Sequence, residues 1–423
     1  MKYVDIINKY RREDETFSDV ERNVSCWASF QSIHINKRGE LKVCPFIARS
    51  EREYEDTTPF ELDKNTHRAR WEPGKSLRDI WQNDKGFEEV RDASLAGDLH
   101  DWCRYCKEQC DKDNPASSLD FDWVGGERDL NHPVPKEIEL ELSNTCNLKC
   151  KFCSPYHSTQ HMLDMGRDMP DNIKNEMEKQ LGRKLPNGVE FSEYKRFMDK
   201  INPQLLNRFE SIYDDPEVAD AFIEALRDII HEVENLNFTG GEPFAQAIVH
   251  KIIKMVEEEN PENLNIQITT NGSILNGYAR KLAQRPKTTF TVSLDSIDPE
   301  IYKDLRRRGD LNKVLKHIEE LQAYGVAKVG CSFVVSKDNV YTLPDILSFC
   351  NSKLLTFSYH ILSPMGGTST PKDIEPWAVE AETKEYLSEL KEFLLNADIT
   401  PCKNRYIDEK NTRMYHQYIE RLK

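Results

Sequence analysis

From residue 137 onward the chain repeats one pattern six times, a short β-rich run followed by a helical stretch. The runs are EIELEL (137–142), NLNFT (235–239), LNIQITT (264–270), TTFTVSL (288–294), VAKVGCSFVV (326–335) and LLTFSYHIL (354–362). Amphipathic stretches such as FAQAIVHKIIKMVEEE, LNKVLKHIEELQAYG and YTLPDILSFC lie between them. Strands that alternate with helices imply right-handed crossovers and a parallel sheet, so the pattern predicts an α/β fold, a six-unit βα sheet that is open or partly closed as a barrel. Ligands of such sheets collect at the carboxyl ends of the strands. The unusual motifs all fall there: CNLKCKFC follows the first run, GGEP the second and TNGS the third, and SLDS ends the fourth.

One connection is too long for this plan. Residues 154–232 contain several helical stretches, including DAFIEALRDIIHEV, where a βα connection needs far fewer residues. Such an insert is either a lid or substrate pocket, or surface decoration. Ahead of the repeat, SIHIN and LKVC flank the turn KRGE and predict a small hairpin. The Pro-, Gly-, Asn- and Asp-rich stretch NPASSLDFDWVGGERDLNHPVP predicts a linker. After LSPMGG (362–367), KEYLSELKEFLL and MYHQYIERL predict amphipathic helices. The expected division is therefore 1–133, 134–365 and a helical tail over 366–423.

At 423 residues the chain is long enough for two or three cores. Its net charge of −15 argues against general binding to nucleic acid or to an anionic membrane. No run of eighteen apolar residues and no signal-peptide core is present, so a cytoplasmic location is expected. That compartment keeps thiols reduced, so the eleven cysteines point to metal rather than to disulfides. Cys26, Cys44, Cys103, Cys106 and Cys110 form one group; Cys146, Cys150 and Cys153 form another; Cys331, Cys350 and Cys402 stand alone.

A structural zinc site closes with four protein ligands, whereas three cysteines within eight residues leave one metal position open. C-x3-C-x2-C after the first strand of a six-unit βα chain, with GGEP after the second, resembles the radical S-adenosylmethionine (radical SAM) superfamily over about residues 136–365. The resemblance implies a 4Fe-4S cluster on Cys146, Cys150 and Cys153, with S-adenosylmethionine on the fourth iron. Reductive cleavage would then yield a 5'-deoxyadenosyl radical that removes hydrogen from substrate. It also implies cofactor contacts from Gly240, Gly241, Glu242 and Pro243 to the methionine moiety, from Phe152 to adenine, and from Ser293 and Asp295 to the ribose and nearby polar groups. Asn271 would stand just behind them, and one of Arg306, Arg307 and Arg308, with Arg308 as the candidate, would clamp the methionine carboxylate. Zinc held by the three cysteines and a distant histidine such as His157 is the alternative that the spacing leaves open.

The first cysteine group is similar to the twitch or SPASM modules of the same superfamily, although here it precedes the barrel. That likeness implies an auxiliary 4Fe-4S cluster on Cys26, Cys44, Cys103 and Cys106, with Cys110 left over as a free thiol or alternative ligand. C-x2-C pairs also suit zinc. Four ligands would make the auxiliary cluster an electron carrier.

The resemblance as a whole implies a partial (βα)6 radical SAM barrel with a small α+β iron–sulfur module before it and a helical tail after it. The implied activity is oxidation or bond formation on a peptide or small polar metabolite, with electrons from a donor such as flavodoxin or ferredoxin. An epimerase or group transferase is the alternative outcome, and an epimerase would need a hydrogen-donating thiol, for which Cys331 is the candidate. A buried small hydrophobe is the other reading of Cys331. A non-catalytic zinc-binding protein is the remaining class.

Overall fold

Among the described residues, eight strands form one sheet in a mixed α/β fold, in the order β2-β1-β3-β4-β5-β6-β7-β8. The strands are β1 (Ser32–Asn36), β2 (Leu41–Lys42), β3 (Glu137–Glu141), β4 (Asn235–Phe238), β5 (Asn265–Thr270), β6 (Thr288–Ser293), β7 (Lys328–Val335) and β8 (Thr356–Ile361). The structure is a computed structural model that describes residues 2–11, 18–44, 69–111, 133–169, 171–186, 188–201, 209–336 and 338–361, with positions 47, 130, 206, 207 and 392. The expected tail over 366–423 apart from position 392, LSPMGG, Cys402 and most of the expected linker lie outside the described residues.

The six expected runs all become strands. Two more are added, because the hairpin does not stand apart from the sheet. β1 pairs antiparallel with β2 and parallel with β3, Ser32 opposite Glu137 through Asn36 opposite Glu141. Parallel pairing requires a long crossover, and the hundred or so residues between β1 and β3 provide it. β1 also carries the alternation needed to continue the sheet, Ile33 and Ile35 on one face and His34 on the other.

Helix starts follow from local chemistry. Asp215 and Asp298 each precede a proline and cap the helix behind it. Asp215 Oδ1 accepts from Glu217 N (2.9 Å) and Val218 N (3.4 Å), and Asp298 Oδ1 from Glu300 N (2.9 Å) and Ile301 N (3.0 Å). The chain forms two compact units: 1–143 with 210–240 and 247–266, and 144–209 with 241–246 and 267–423.

The stretch expected as a single insert is divided between these units. Helix Pro216–Arg227 belongs to the first and packs Phe222 against Trp71 and Tyr213, with ring centroids 5.1 and 4.7 Å apart. It is the crossover helix between β3 and β4, and its buried Ala219, Phe222, Ile223 and Leu226 supply the face that such a helix needs. Residues 154–209 build a core of their own in the second unit, with helices Asp171–Leu181 and Phe191–Ile201 packed around Met177, Met198, Phe197 and Phe209.

Candidate functional site

Cys146, Cys150 and Cys153 lie in the loop after β3, which the second unit holds from several sides. Lys149 N donates to Arg307 O (3.0 Å) and Lys151 N to Leu305 O (2.8 Å), so the arginine run lies backbone-to-backbone along this loop. The segment Ser158–His161, to which the sequence assigned no role, bonds the loop through four successive side chains. Ser158 Oγ donates to Leu148 O (2.7 Å), Thr159 Oγ1 and Gln160 Nε2 to Cys146 O (3.0 and 3.4 Å), and His161 Nε2 to Cys150 O (2.8 Å). A serine and threonine at the start of helix Thr159–Asp164 were the available signal, but they read equally well as a helix cap.

The three thiols interact electrostatically with one another. Burial pushes Cys146 up to about 11 and Cys153 up to about 12, and raises Cys150 as well. Each therefore becomes a thiolate only beside a strong positive charge, which a bound metal centre supplies. Two of the sulfurs have N–H donors: Asn271 Nδ2 stands 3.8 Å from Cys146 Sγ and Arg306 Nη1 3.7 Å from Cys150 Sγ. Neighbouring donors of this kind favour a sulfur that carries negative charge. The donor set thus fits an iron–sulfur cluster. Among the described residues no three His, Cys, Asp or Glu side chains converge as on a single ion. Cluster thiolates do not converge either, since each goes to a different iron, in contrast to the S···S separation of about 3.8 Å that tetrahedral zinc imposes.

GGEP packs against this same loop. A Cβ on Gly241 would stand 2.4 Å from Thr145 O, and Gly240 holds φ +95°. Only glycine fits both positions. Glu242 N donates to Thr145 O (2.8 Å), which locks the two loops together. The Glu242 carboxylate is buried and accepts from Thr270 Oγ1 (2.7 Å), Asn271 N (2.8 Å) and Phe244 N (3.3 Å). Burial lifts it to about 7, against the pull of the donors from Asn271 and Thr270. Both carboxylate oxygens are thus engaged within the protein, so Glu242 orients the TNGS turn. Pro243 opens the short turn Pro243–Ala245. Replacing Glu242 by alanine would leave three donors facing an apolar gap. We expect a loss of about 2–4 kcal/mol, read as a lowered midpoint in chemical denaturation, with Glu242→Gln recovering part of it.

Two of the expected cofactor contacts, Arg308 and Asp295, have protein partners in this structure. Arg308 points to the surface and bonds Gln160, while Arg306 is the arginine buried beside the cysteines. Its guanidinium pairs with Asp295 and lies 5.3 Å from the Phe152 ring centroid. Burial opposes its charge, but Asp295 outweighs that and holds Arg306 above its usual range. Asp295 is fully buried, and its carboxylate pairs with Arg306 and accepts from Val334 N (2.8 Å). Ser293, the last residue of β6, is half-buried.

Cys331 is buried in β7, and its thiol bonds that of Cys350 on helix Leu343–Ser352, which raises the Cys350 thiol. It is therefore packed against that helix.

In the first unit, Cys103, Cys106 and Cys26 pack with Ile7 and Leu99. Burial lifts the Cys103 thiol to about 12 and Cys106 well above its ordinary value, and both interact with Cys44. The four expected ligands are thus neighbours. Cys110 joins them, because it follows Cys106 by four residues on helix Arg104–Asp111 and shares its face. A single wall of this site, helix Tyr3–Asn8 with buried Ile7, was not read from the sequence.

The Radical SAM superfamily model matches residues 140–350. Among curated proteins, the probable GTP 3',8-cyclase of Methanocaldococcus jannaschii is 32% identical over 118 residues, 28% of this chain and 39% of that protein. The corresponding protein of Methanococcus aeolicus is 25% identical over 224 residues, 53% of this chain and 58% of its own. The chain thus spans well under two thirds of the length of these relatives. Streptococcus suis SuiB bound to S-adenosylmethionine overlays 62% of this chain and 47% of its own at 16% identity and a TM-score of 0.35, a value that carries no argument. Among the described residues no helix is long and apolar enough to cross a membrane.

Proposed function

Since residues 140–350 are a radical SAM superfamily domain, whose cofactors are S-adenosylmethionine and a 4Fe-4S cluster, we propose that this enzyme cleaves S-adenosylmethionine reductively and abstracts hydrogen from a peptide or small polar metabolite. The observation that carries the reading is the convergence of Cys146, Cys150, Asn271, Glu242 and Arg306 in one buried network. When bound, the cluster and S-adenosylmethionine supply the electron and the hydrogen-abstracting chemistry. Cys146, Cys150 and Cys153 would hold the cluster. Asn271 and Arg306 donate to two of its sulfurs, and Arg306 is held in place by Asp295. Gly240 and Gly241 let the second loop close against the first, and Phe152 presents an aromatic face beside them. Ser293 remains a candidate for a polar cofactor contact.

The cysteine group of the first unit is assigned to the auxiliary cluster, with Cys26, Cys44, Cys103 and Cys106 as ligands and Cys110 as a fifth thiol in reach. An electron donor such as flavodoxin or ferredoxin completes the cycle, and net oxidation or bond formation is the favoured outcome. The relatives named as GTP 3',8-cyclases support a second reading, in which a nucleoside triphosphate is the substrate.

The test is anaerobic incubation of the reconstituted protein with S-adenosylmethionine and dithionite. Formation of methionine and 5'-deoxyadenosine is expected. Full iron loading with no cleavage would remove the reading.

A further inference from the structure

Three strands of the first unit place polar side chains on one face without interruption. Ser32, Glu137 and Asn235 lie in register, as do His34, Glu139 and Asn237, and Asn36 lies opposite Glu141. The other face consists of Ile33, Ile35, Ile138, Leu140, Leu236 and Phe238, each at most 1% exposed. Alternation alone requires one apolar face for the core; it does not require that the second face carry a carboxylate at every position of its middle strand. Glu137, Glu139 and Glu141 stand about 7 Å apart along β3.

Their surroundings differ. Glu141 faces Lys37 Nζ at 4.0 Å and His34 Nε2 at 3.5 Å, and Glu137 accepts from Asn237 Nδ2 at 3.2 Å. Glu139, in the middle and half-buried, accepts from the Thr239 hydroxyl at 3.2 Å and makes no ion pair among the described residues. Opposite it, His34 is only 7% exposed and its Nδ1 has no hydrogen-bond partner among the described residues; Asn237, half-buried, likewise has none there for its Oδ1. Native proteins pair nearly all such atoms, and an orphaned polar pair beside a carboxylate with no cation marks a surface shaped for a ligand.

We propose that this face recognises the substrate, and that the substrate presents a protonated amine or guanidinium to Glu139 in place of a polyphosphate. A cation satisfies the carboxylate, and its remaining donors suit the Asn237 carbonyl and the His34 ring nitrogen. A triphosphate would meet like charge at Glu139. The inference rests on the radical SAM reading and selects against the nucleotide alternative within it.

The test is calorimetry on the reconstituted full chain with S-adenosylmethionine present, using N-acetyl-lysine amide, spermidine and GTP as probes. At least one amine is expected to bind tenfold or more tightly than GTP, and Glu139→Gln to weaken that amine at least tenfold while Glu139→Asp retains part of it. Iron content and thermal midpoint show that each variant is folded. Tighter binding of the lysine derivative identifies a peptide side chain as the source of the amine, and of spermidine a free polyamine; either result supports the proposal. GTP binding as well as the amines, no amine binding, or indifference to Glu139→Gln overturns it. Because binding is measured without turnover, these outcomes are separate from a failure to cleave S-adenosylmethionine.

Discussion

Replacing Arg306 by methionine is expected to lower the unfolding free energy by about 3–5 kcal/mol, the cost of removing one partner from a buried ion pair. Asp295 is fully buried, and among the described residues the other hydrogen bond of its carboxylate comes from a backbone N–H, that of Val334 at 2.8 Å. One donor from the backbone does not replace a guanidinium. Without Arg306 the buried carboxylate loses its counter-charge. The double variant Arg306→Met with Asp295→Asn should recover most of the loss, because a neutral amide demands less there. Denaturant midpoints of the iron-free proteins measure both. If the single variant lost less than about 1 kcal/mol, the pair would be behaving like a surface contact, and the burial of Asp295 would be wrong. After reconstitution, the same variant also deprives Cys150 of its N–H donor. A more negative cluster potential, followed by redox titration, is the expected signature of that lost hydrogen bond.

The second large effect concerns metal. Wild-type protein reconstituted without oxygen should hold about eight irons and eight sulfides per chain, and the triple variant Cys146→Ala, Cys150→Ala, Cys153→Ala about four, from two four-iron clusters. Cleavage of S-adenosylmethionine should disappear in the variant while the iron of the first unit remains. The reasoning is electrostatic. With the thiols of Cys146 and Cys153 raised by burial to about 11 and 12, the metal-free loop holds neutral sulfur, and only a cationic centre makes thiolates of it. Zinc measured alongside decides the alternative: stoichiometric zinc in place of iron would discard both clusters. Loss of all iron from the triple variant would mean that the two cysteine groups do not load independently.

Much of the sheet was legible in the sequence because a strand's alternation is local. EIELEL, TTFTVSL and the other four runs predicted strands to within a residue or two, and β3 and β6 begin at the predicted positions. The cysteine loop, GGEP and TNGS were legible as a group because they follow successive strands. The hairpin was legible as a hairpin, yet its parallel pairing with β3 was not. That pairing joins residues about a hundred positions apart, and no local pattern encodes it. The fate of DAFIEALRDIIHEV was hidden for the same reason. An amphipathic helix announces that it has an apolar face, but it does not announce that the face packs on Trp71 and Tyr213.

Site details divide along the same line. Three adjacent arginines cannot be ranked by spacing, and of the three it is Arg306 that lies beside Cys150. The backbone pairing of Leu305 and Arg307 with the cysteine loop turns Arg306 inward onto Asp295 and Cys150. Cys331 had two readings, and its contact with Cys350 is one that spacing alone does not reveal. The sequence by itself determined the alternation of strands and helices, the open-sided trio of cysteines and the glycines that let two loops touch, because each depends on residue type and short-range spacing. Only the tertiary structure decided which arginine meets the sulfur, which helix crosses the sheet, and that Glu139 faces His34 and Asn237 across three strands. Those are long-range contacts, and burial and charge pairing settle them only after the chain has closed on itself.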